Sequence, residues 1–245
     1  MLSLGKWFRL KRRQKRARKL GFDFKRSAGF RPPVKIKING RDFPISYPEE
    51  VGVVNDFLSI FLDDDYRLER VNWPVKTVLD IGANLGFFSI AARNAFPEAT
   101  IHAYEPNEDL DRYLVPHSKE GKFKLQREAV GLESGRVSLD IRGETNQTRS
   151  KADDTGGIPQ VAFRKAIERL GGQVDVAKVD CEGAEWEFLE DKEAWQKVRF
   201  LAMEYHLWPG KRGHYDIQMI LREQGFHILQ ARPIEDYGLV YAIRI

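Results

Sequence analysis

The stretch Val78-Leu79-Asp80-Ile81-Gly82-Ala83-Asn84-Leu85-Gly86-Phe87-Phe88-Ser89 leaves this chain few folds to adopt. An apolar run that ends on an acid reads as a buried strand. A glycine-bracketed turn follows, and then a helix-like pattern. A second strand-like run, Ala99-Thr100-Ile101-His102-Ala103-Tyr104, ends at Glu105, 19 residues beyond Gly86. Strand, glycine turn, helix, strand and terminal acid form the nucleoside-binding half of a Rossmann-type unit.

The rest of the chain extends that reading. Val34-Lys35-Ile36-Lys37-Ile38 alternates with period two, Asn39-Gly40 follows, and Asp42-Phe43-Pro44-Ile45-Ser46 resumes, a hairpin pattern. Residues 50–63 place Val53, Val54, Phe57, Leu58 and Phe61 on one helical face, and this segment is a candidate lid or first-layer helix. From Thr77 strands and helices alternate: strands at 77–81, 99–104, 123–128, 136–141, 174–180 and 198–205, helices at 85–96, 107–117, 161–170, 184–191 and 213–224, and a long polar loop at 143–158. Such alternation predicts an α/β fold, a mainly parallel sheet with helices on both faces. The last two strands, 226–231 and 238–244, are too close in sequence for a parallel crossover, so they should pair antiparallel.

Charge is distributed unevenly. Residues 1–26 hold eleven of the 40 Lys and Arg and one of the 36 acids, a net of +10, which leaves 29 basic and 35 acidic residues in the remainder, a net of −6. The basic tail reads either as a solvated terminus or as an arm for nucleic acid or anionic lipid. Leu4, Trp7 and Phe8 at helical spacing suit a membrane surface. Its removal is expected to leave cofactor affinity intact. No run approaches the roughly 18 apolar residues of a membrane span. The single cysteine, Cys181, excludes an internal disulfide and suits a reducing, cytoplasmic setting, peripheral to a membrane if the tail binds lipid.

The glycine turn narrows the choice of cofactor. A dinucleotide fingerprint needs glycine at three positions, here Gly82, Asn84 and Phe87, and only the first matches. A pyrophosphate would meet side chains where it needs bare backbone. Gly82 and Gly86 instead suit a ligand without phosphates that carries an amine and a carboxylate, such as S-adenosylmethionine. In that reading Asp80 orders the turn and attracts the ammonium, backbone N–H groups at the helix start receive the carboxylate, and Glu105 accepts from the ribose hydroxyls.

These segments resemble a known family. The 78–89 stretch looks like motif I of the FkbM-type S-adenosylmethionine-dependent methyltransferases. Tyr104-Glu105-Pro106-Asn107 is similar to the family's ribose segment and Ala129-Val130-Gly131 to its adenine loop. Lys178-Val179-Asp180-Cys181-Glu182-Gly183-Ala184-Glu185 is similar to its Lys-Ile-Asp-x-Glu-Gly-Ala-Glu signature, and Met203-Glu204-Tyr205-His206 to its Glu-x-His segment. The resemblance covers roughly residues 75–206. It implies a Rossmann-like class I methyltransferase fold with a seven-stranded sheet and an antiparallel C-terminal strand. It also implies S-adenosylmethionine as cofactor and O-methylation of a small molecule or sugar. Where the family often has Thr-Leu-Asp-Asp, this chain has Ala162-Phe163-Arg164-Lys165, so a substrate preference does not carry over. The chain then divides into a basic tail over 1–33, a hairpin and helix over 34–75, and the cofactor-binding methyltransferase domain over 76–245.

The candidate cofactor-binding residues are Asp80, Gly82, Ala83, Asn84, Gly86, Glu105, Pro106, Ala129, Val130 and Asp180. The candidate catalytic residues are His206, Asp180, Glu182 and Glu204, which fall at strand ends where such sheets bind ligands. His206 is the first choice for general base, since a free imidazole titrates near pH ~6.5. Asp180 and Glu182 can position hydroxyls or favour the following helix start. With His206 they could hold a divalent ion, but no tight ligand spacing is visible and no metal is assigned. Trp208, Pro209, Lys211, Arg212 and His214 can line an acceptor pocket or form a plain connection. Two other functions stay open: ribose 2′-O-methylation of RNA anchored by the tail, and a non-catalytic cofactor-binding or membrane-surface scaffold.

Overall fold

The computed structural model describes residues 4–141, 148–153, 155–207 and 212–245. Helix α1 (Leu4–Lys19) opens the chain. A hairpin of β1 (Lys35–Ile38) and β2 (Arg41–Pro44) follows, turned by Asn39 and Gly40, both at positive φ. That is the Asn-Gly hairpin geometry, in which both turn residues must be left-handed to match strand twist. Helix α2 (Val51–Phe57) passes directly into a π-helical turn, Leu58–Asp63.

The central sheet comprises β3 (Thr77–Ile81), β4 (Thr100–Tyr104), β5 (Lys124–Gln126), β10 (Val174–Val179), β11 (Val198–His206), β12 (His227–Pro233) and β13 (Tyr237–Ile243). Its spatial order is β12-β13-β11-β10-β3-β4-β5. The pairs from β11 through β10, β3 and β4 to β5 are parallel, and β13 runs antiparallel to β11 and to β12. This is the mainly parallel seven-stranded sheet with an antiparallel C-terminal strand that characterises class I methyltransferases.

Strand side chains alternate between two cores, as period two requires. Val78, Val176 and Phe200 face one side with Phe57, Phe88 and Leu114. Leu79, Ala177 and Leu201 face the other with Phe163, Phe188 and Trp195. The first side is covered by α1, the hairpin, α2, α3 (Phe87–Ala95) and α4 (Asp111–Gly121). The second is covered by α5 (Phe163–Glu168), α6 (Glu185–Phe188), α7 (Lys192–Trp195) and α8 (His214–Glu223). Each large apolar side chain buried this way contributes roughly 1.5–3 kcal/mol.

Two segments differ from the sequence reading. The basic stretch is a helix docked on the body, and Ala17, Leu20 and Phe24 belong to the first core. Truncation at residue 26 would therefore open that core, contrary to the expectation for a dispensable tail. The supposed polar loop, as far as it lies within the described residues, holds strands. β8 (Thr148–Ala152) and β9 (Ile158–Ala162) join β6 (Ala129–Gly131) and β7 (Gly135–Ile141) in a second sheet of order β6-β9-β7-β8. β9 also takes the start of the helix expected at 161, which begins at Phe163.

Candidate active site

β3 and β10 are neighbours, yet the chain leaves β3 towards β4 and returns to β10 on the other side. A crevice opens at such a switch point, beyond the carboxyl ends of the strands. Here it is a cleft, open to solvent, lined by residues of the turn after β3, the ends of β4 and β10, the α2 segment and β6.

The floor is built from the glycine turn. Gly82 has φ +73°, and a Cβ placed there would stand 1.7 Å from the Asp180 carbonyl oxygen. Glycine is therefore required for the two strand ends to touch. The Gly82 and Ala83 N–H groups both donate to the Tyr104 carbonyl at 3.0 Å, and the Asn84 N–H donates to Glu105 Oε2 at 2.8 Å. Asn84 itself is left-handed, at φ 49°, a conformation asparagine tolerates better than most residues. Glu105 Oε1 accepts from the Asn107 N–H at 2.9 Å. Burial pushes the Glu105 carboxyl up, and these two N–H bonds oppose it. Glu105 thus pins the turn, and each oxygen retains a lone pair for a further donor.

Asp80 lies beneath this floor. It is fully buried, accepts from Ser89 Oγ at 2.7 Å and stands 3.5 Å from Lys178 Nζ. It orders the turn but is not among the residues that line the cleft, so an ammonium there meets other groups. Lys178 donates to the Ile81 carbonyl at 3.3 Å and to the Gly82 carbonyl, and lies 3.6 Å from Asp180. Burial alone would lower this ammonium, but Asp180 and Asp80 outweigh it and hold it raised. Lys178 thus binds the turns after β3 and β10 together. Lys178 is not among the sequence-predicted site residues, although a lone lysine inside the apolar run Val176-Ala177-Lys178-Val179 is a signal.

The other wall is acidic. Asp56, Asp180, Glu182 and Glu204 all line the cleft. Tyr66 Oη donates to Asp180 at 2.9 Å. Burial, followed by Asp180, pushes the Glu204 carboxyl well up, against the opposing effect of His206. His206 Nε2 lies 3.5 Å from Glu182 and 3.7 Å from Glu204, and Nδ1 lies 3.4 Å from Glu185. Burial would lower this imidazole, but Glu185, Glu182 and Asp180 bring it to about 9. It is therefore an imidazolium at neutral pH, standing behind Glu204 rather than among the lining residues. Buried Glu185 fixes it further, accepting from the His206 backbone N–H at 2.6 Å and the Gly183 N–H at 2.8 Å.

The structure brings most of the sequence-predicted set together. Gly82, Ala83, Asn84, Glu105, Pro106, Ala129, Val130, Asp180, Glu182 and Glu204 line one cleft. Gly86 instead caps α3 at φ 76°. Asp180, Glu182 and His206 each offer one ligand atom within 4.8 Å of the others, a spacing the sequence did not reveal, although His206 could ligate a cation only after losing the proton that the surrounding acids hold on it. Burial, then Glu185 and Asp180, push the Cys181 thiol well up, so it is no nucleophile. Of the proposed acceptor loop, Trp208, Pro209 and Lys211 lie outside the described residues. Arg212 pairs with Glu190 at 3.2 Å and His214 Nδ1 with Tyr205 Oη at 3.0 Å, neither in the cleft. Tyr66, Asp56 and Glu128 line the cleft without any local motif to announce them.

A family model, the methyltransferase FkbM domain, matches residues 80–228, from the last residues of β3 to the start of β12. The chain belongs to this family. As an FkbM-family protein it is an S-adenosylmethionine-dependent methyltransferase. It is 27% identical over 220 residues to methyltransferase sdnD of Sordaria araneosa, an alignment covering 72% of this chain and 83% of that protein. It is 27% identical over 206 residues to methyltransferase 1 of Beauveria bassiana, covering 71% and 81%. Among solved structures, the precorrin-6y C5,15-methyltransferase of Geobacter metallireducens GS-15 aligns with a TM-score of 0.49 and 12% identity, over 82% of this chain and 94% of that one.

The cleft of this FkbM-family protein fits S-adenosylmethionine on its own chemistry. Asn84 Oδ1 is a buried acceptor with no hydrogen-bond partner, and Asn84 lines the cleft, where an ammonium would satisfy it. The acidic wall suits a sulfonium, and Pro106, Ala129, Val130 and Leu139 offer apolar contact to a base.

Proposed function

We propose that the protein transfers a methyl group to a neutral hydroxyl of a small molecule or sugar, with Glu204 as the proton acceptor. The bound cofactor supplies the methyl already activated on its sulfonium. The chain's residues do the rest. Glu105 accepts from the ribose hydroxyls, and Asn84 and the turn after β3 hold the amino-acid end. Asp180 and Glu182 orient the acceptor, and Glu204 takes the hydroxyl proton.

The carrying observation is the placement of Glu204. It faces the cleft, and burial raises its carboxyl above the ordinary carboxylate range, which makes its ionised form a stronger proton acceptor than a free carboxylate. His206 stands behind it as a fixed positive charge rather than as the base. The acids of that wall, Asp56, Asp180, Glu182 and Glu204, disfavour an anionic acceptor, and the same repulsion weighs against RNA, whose phosphates would approach it.

The test is methyl transfer from labelled cofactor to a panel of methyl glycosides, simple alcohols, sugar phosphates and short RNA. Neutral hydroxyls should accept. Transfer only to RNA or to anionic acceptors contradicts the proposal, and turnover with none of them, despite cofactor binding, supports the scaffold reading. Glu204→Gln should lower kcat by roughly 10²–10⁴-fold with cofactor affinity retained. Since the base works deprotonated, wild-type kcat/KM should fall as pH drops through the raised Glu204 value. The variant should lack that limb.

A further inference from the structure

Helix α1 has two faces with different business. Towards the body, Arg13 Nε and Arg9 Nε donate to Asp63 at 2.9 and 3.1 Å, and Arg12 reaches the same carboxylate at 3.5 Å. Arg16 donates to the Leu62 carbonyl at 3.1 Å and lies 3.4 Å from Asp64. Ala17 is buried beneath them. At 100° per residue the opposite face carries Leu4 and Trp7, flanked by Phe8, over the first turns, then Lys11, Lys15 and Arg18.

That outer face is exposed. Leu4, Trp7 and Phe8 are 75%, 45% and 58% accessible. Trp7 and Phe8 pack edge to face at 5.1 Å, and Lys11 sits 5.7 Å above the Trp7 ring. The helix contains no acid in its sequence LGKWFRLKRRQKRARK. A cluster of three large apolar side chains in water, continuous with a basic stripe, is an interaction surface.

We infer that α1 is a rigid foot for a membrane surface bearing anionic lipids. Leu4, Trp7 and Phe8 enter the interfacial zone, and Lys11, Lys15 and Arg18 meet the headgroup charges. The partner follows from the pattern. A nucleic-acid arm would use the basic stripe but has no use for Leu4 beside an aromatic pair at one end. The body's net negative charge would also turn the remainder of the protein away from either polyanion, so the contact is confined to α1.

The foot is not a loose tether. Asp63 belongs to the π-helical turn whose Ser59 and Ile60 line the cleft. Lipid-bound α1 therefore holds one wall of the active site at a fixed attitude to the bilayer.

The experiment is sedimentation of the full-length protein with phosphatidylcholine vesicles, with and without phosphatidylserine. The protein should pellet with the anionic vesicles and largely stay in solution with the neutral ones, and high salt should weaken the binding. Trp7→Ala with Phe8→Ala, and separately Lys11→Gln with Lys15→Gln, should each lower partitioning by roughly tenfold or more. These residues face solvent, so circular dichroism and S-adenosylhomocysteine affinity should match the wild type. Failure of the wild type to pellet with anionic vesicles overturns the inference. So does equal partitioning of the variants, or short single-stranded RNA that displaces the protein from vesicles and still binds the Trp7/Phe8 variant at full strength.

Discussion

Gly82 and Asn84 show how much a single residue decides in this site. The spacing of Gly82, Asn84 and Glu105 was readable because motif turns are local, and the structure puts all three on one cleft. What Gly82 does was not readable. Its missing Cβ makes room for the Asp180 carbonyl, a group 98 positions away, rather than for a phosphate. Gly82→Ala should therefore cost roughly 3 kcal/mol, from the clash and from the positive φ together. It should also separate the turn from β10, with loss of cofactor binding. Thermal unfolding and a S-adenosylhomocysteine titration check this, and a wild-type melting temperature would contradict it. His206 shows the opposite limit. As a sequence symbol it is an imidazole near neutrality. Glu185, Glu182 and Asp180 make it a cation, and these partners come from a different strand end.

At the scale of elements, the alternation of β3 to β13 was legible because buried parallel strands and amphipathic helices carry strong periodicities. The second sheet was legible only in β7, the strand expected at 136–141. β8 reads Thr-Arg-Ser-Lys-Ala, with no apolar alternation, so only its pairing with β7 makes it a strand. Docking of α1 was equally hidden, since Arg13 and Asp63 lie 50 residues apart. Burial would raise Asp63, but the hydrogen bonds from Arg13 and Arg9 bring it down to about 2. A depressed carboxylate stabilises the fold above its unfolded value, near 3.8, and that contribution is lost as pH falls through about 2. Asp63→Asn should remove it at neutral pH too, leaving buried Arg13 without its counter-ion, at a cost of roughly 3 kcal/mol. Denaturant melts at pH 7 should show that loss and protease should clip the released α1. An unchanged midpoint with α1 protected would mean that packing of Ala17 and Leu20 alone holds the helix.

For the whole molecule, the sheet order places one cleft where β3 and β10 part company, and the turn after each strand supplies its floor. The same order explains why the FkbM motifs, distant in sequence, meet at one cleft. The net +10 of residues 1–26 and the −6 of the remainder are a docked helix and an acid-walled body, joined through Asp63, Asp64 and Glu69. Glu105 pins the glycine turn, and in the proposed function it also receives the cofactor's ribose in that cleft. Calorimetric titration of S-adenosylhomocysteine into the wild type and into Glu105→Ala tests it most directly. The wild type should bind, and the variant should lose roughly 1–3 kcal/mol, about 5–150-fold in Kd. Equal affinity in the two proteins would contradict it.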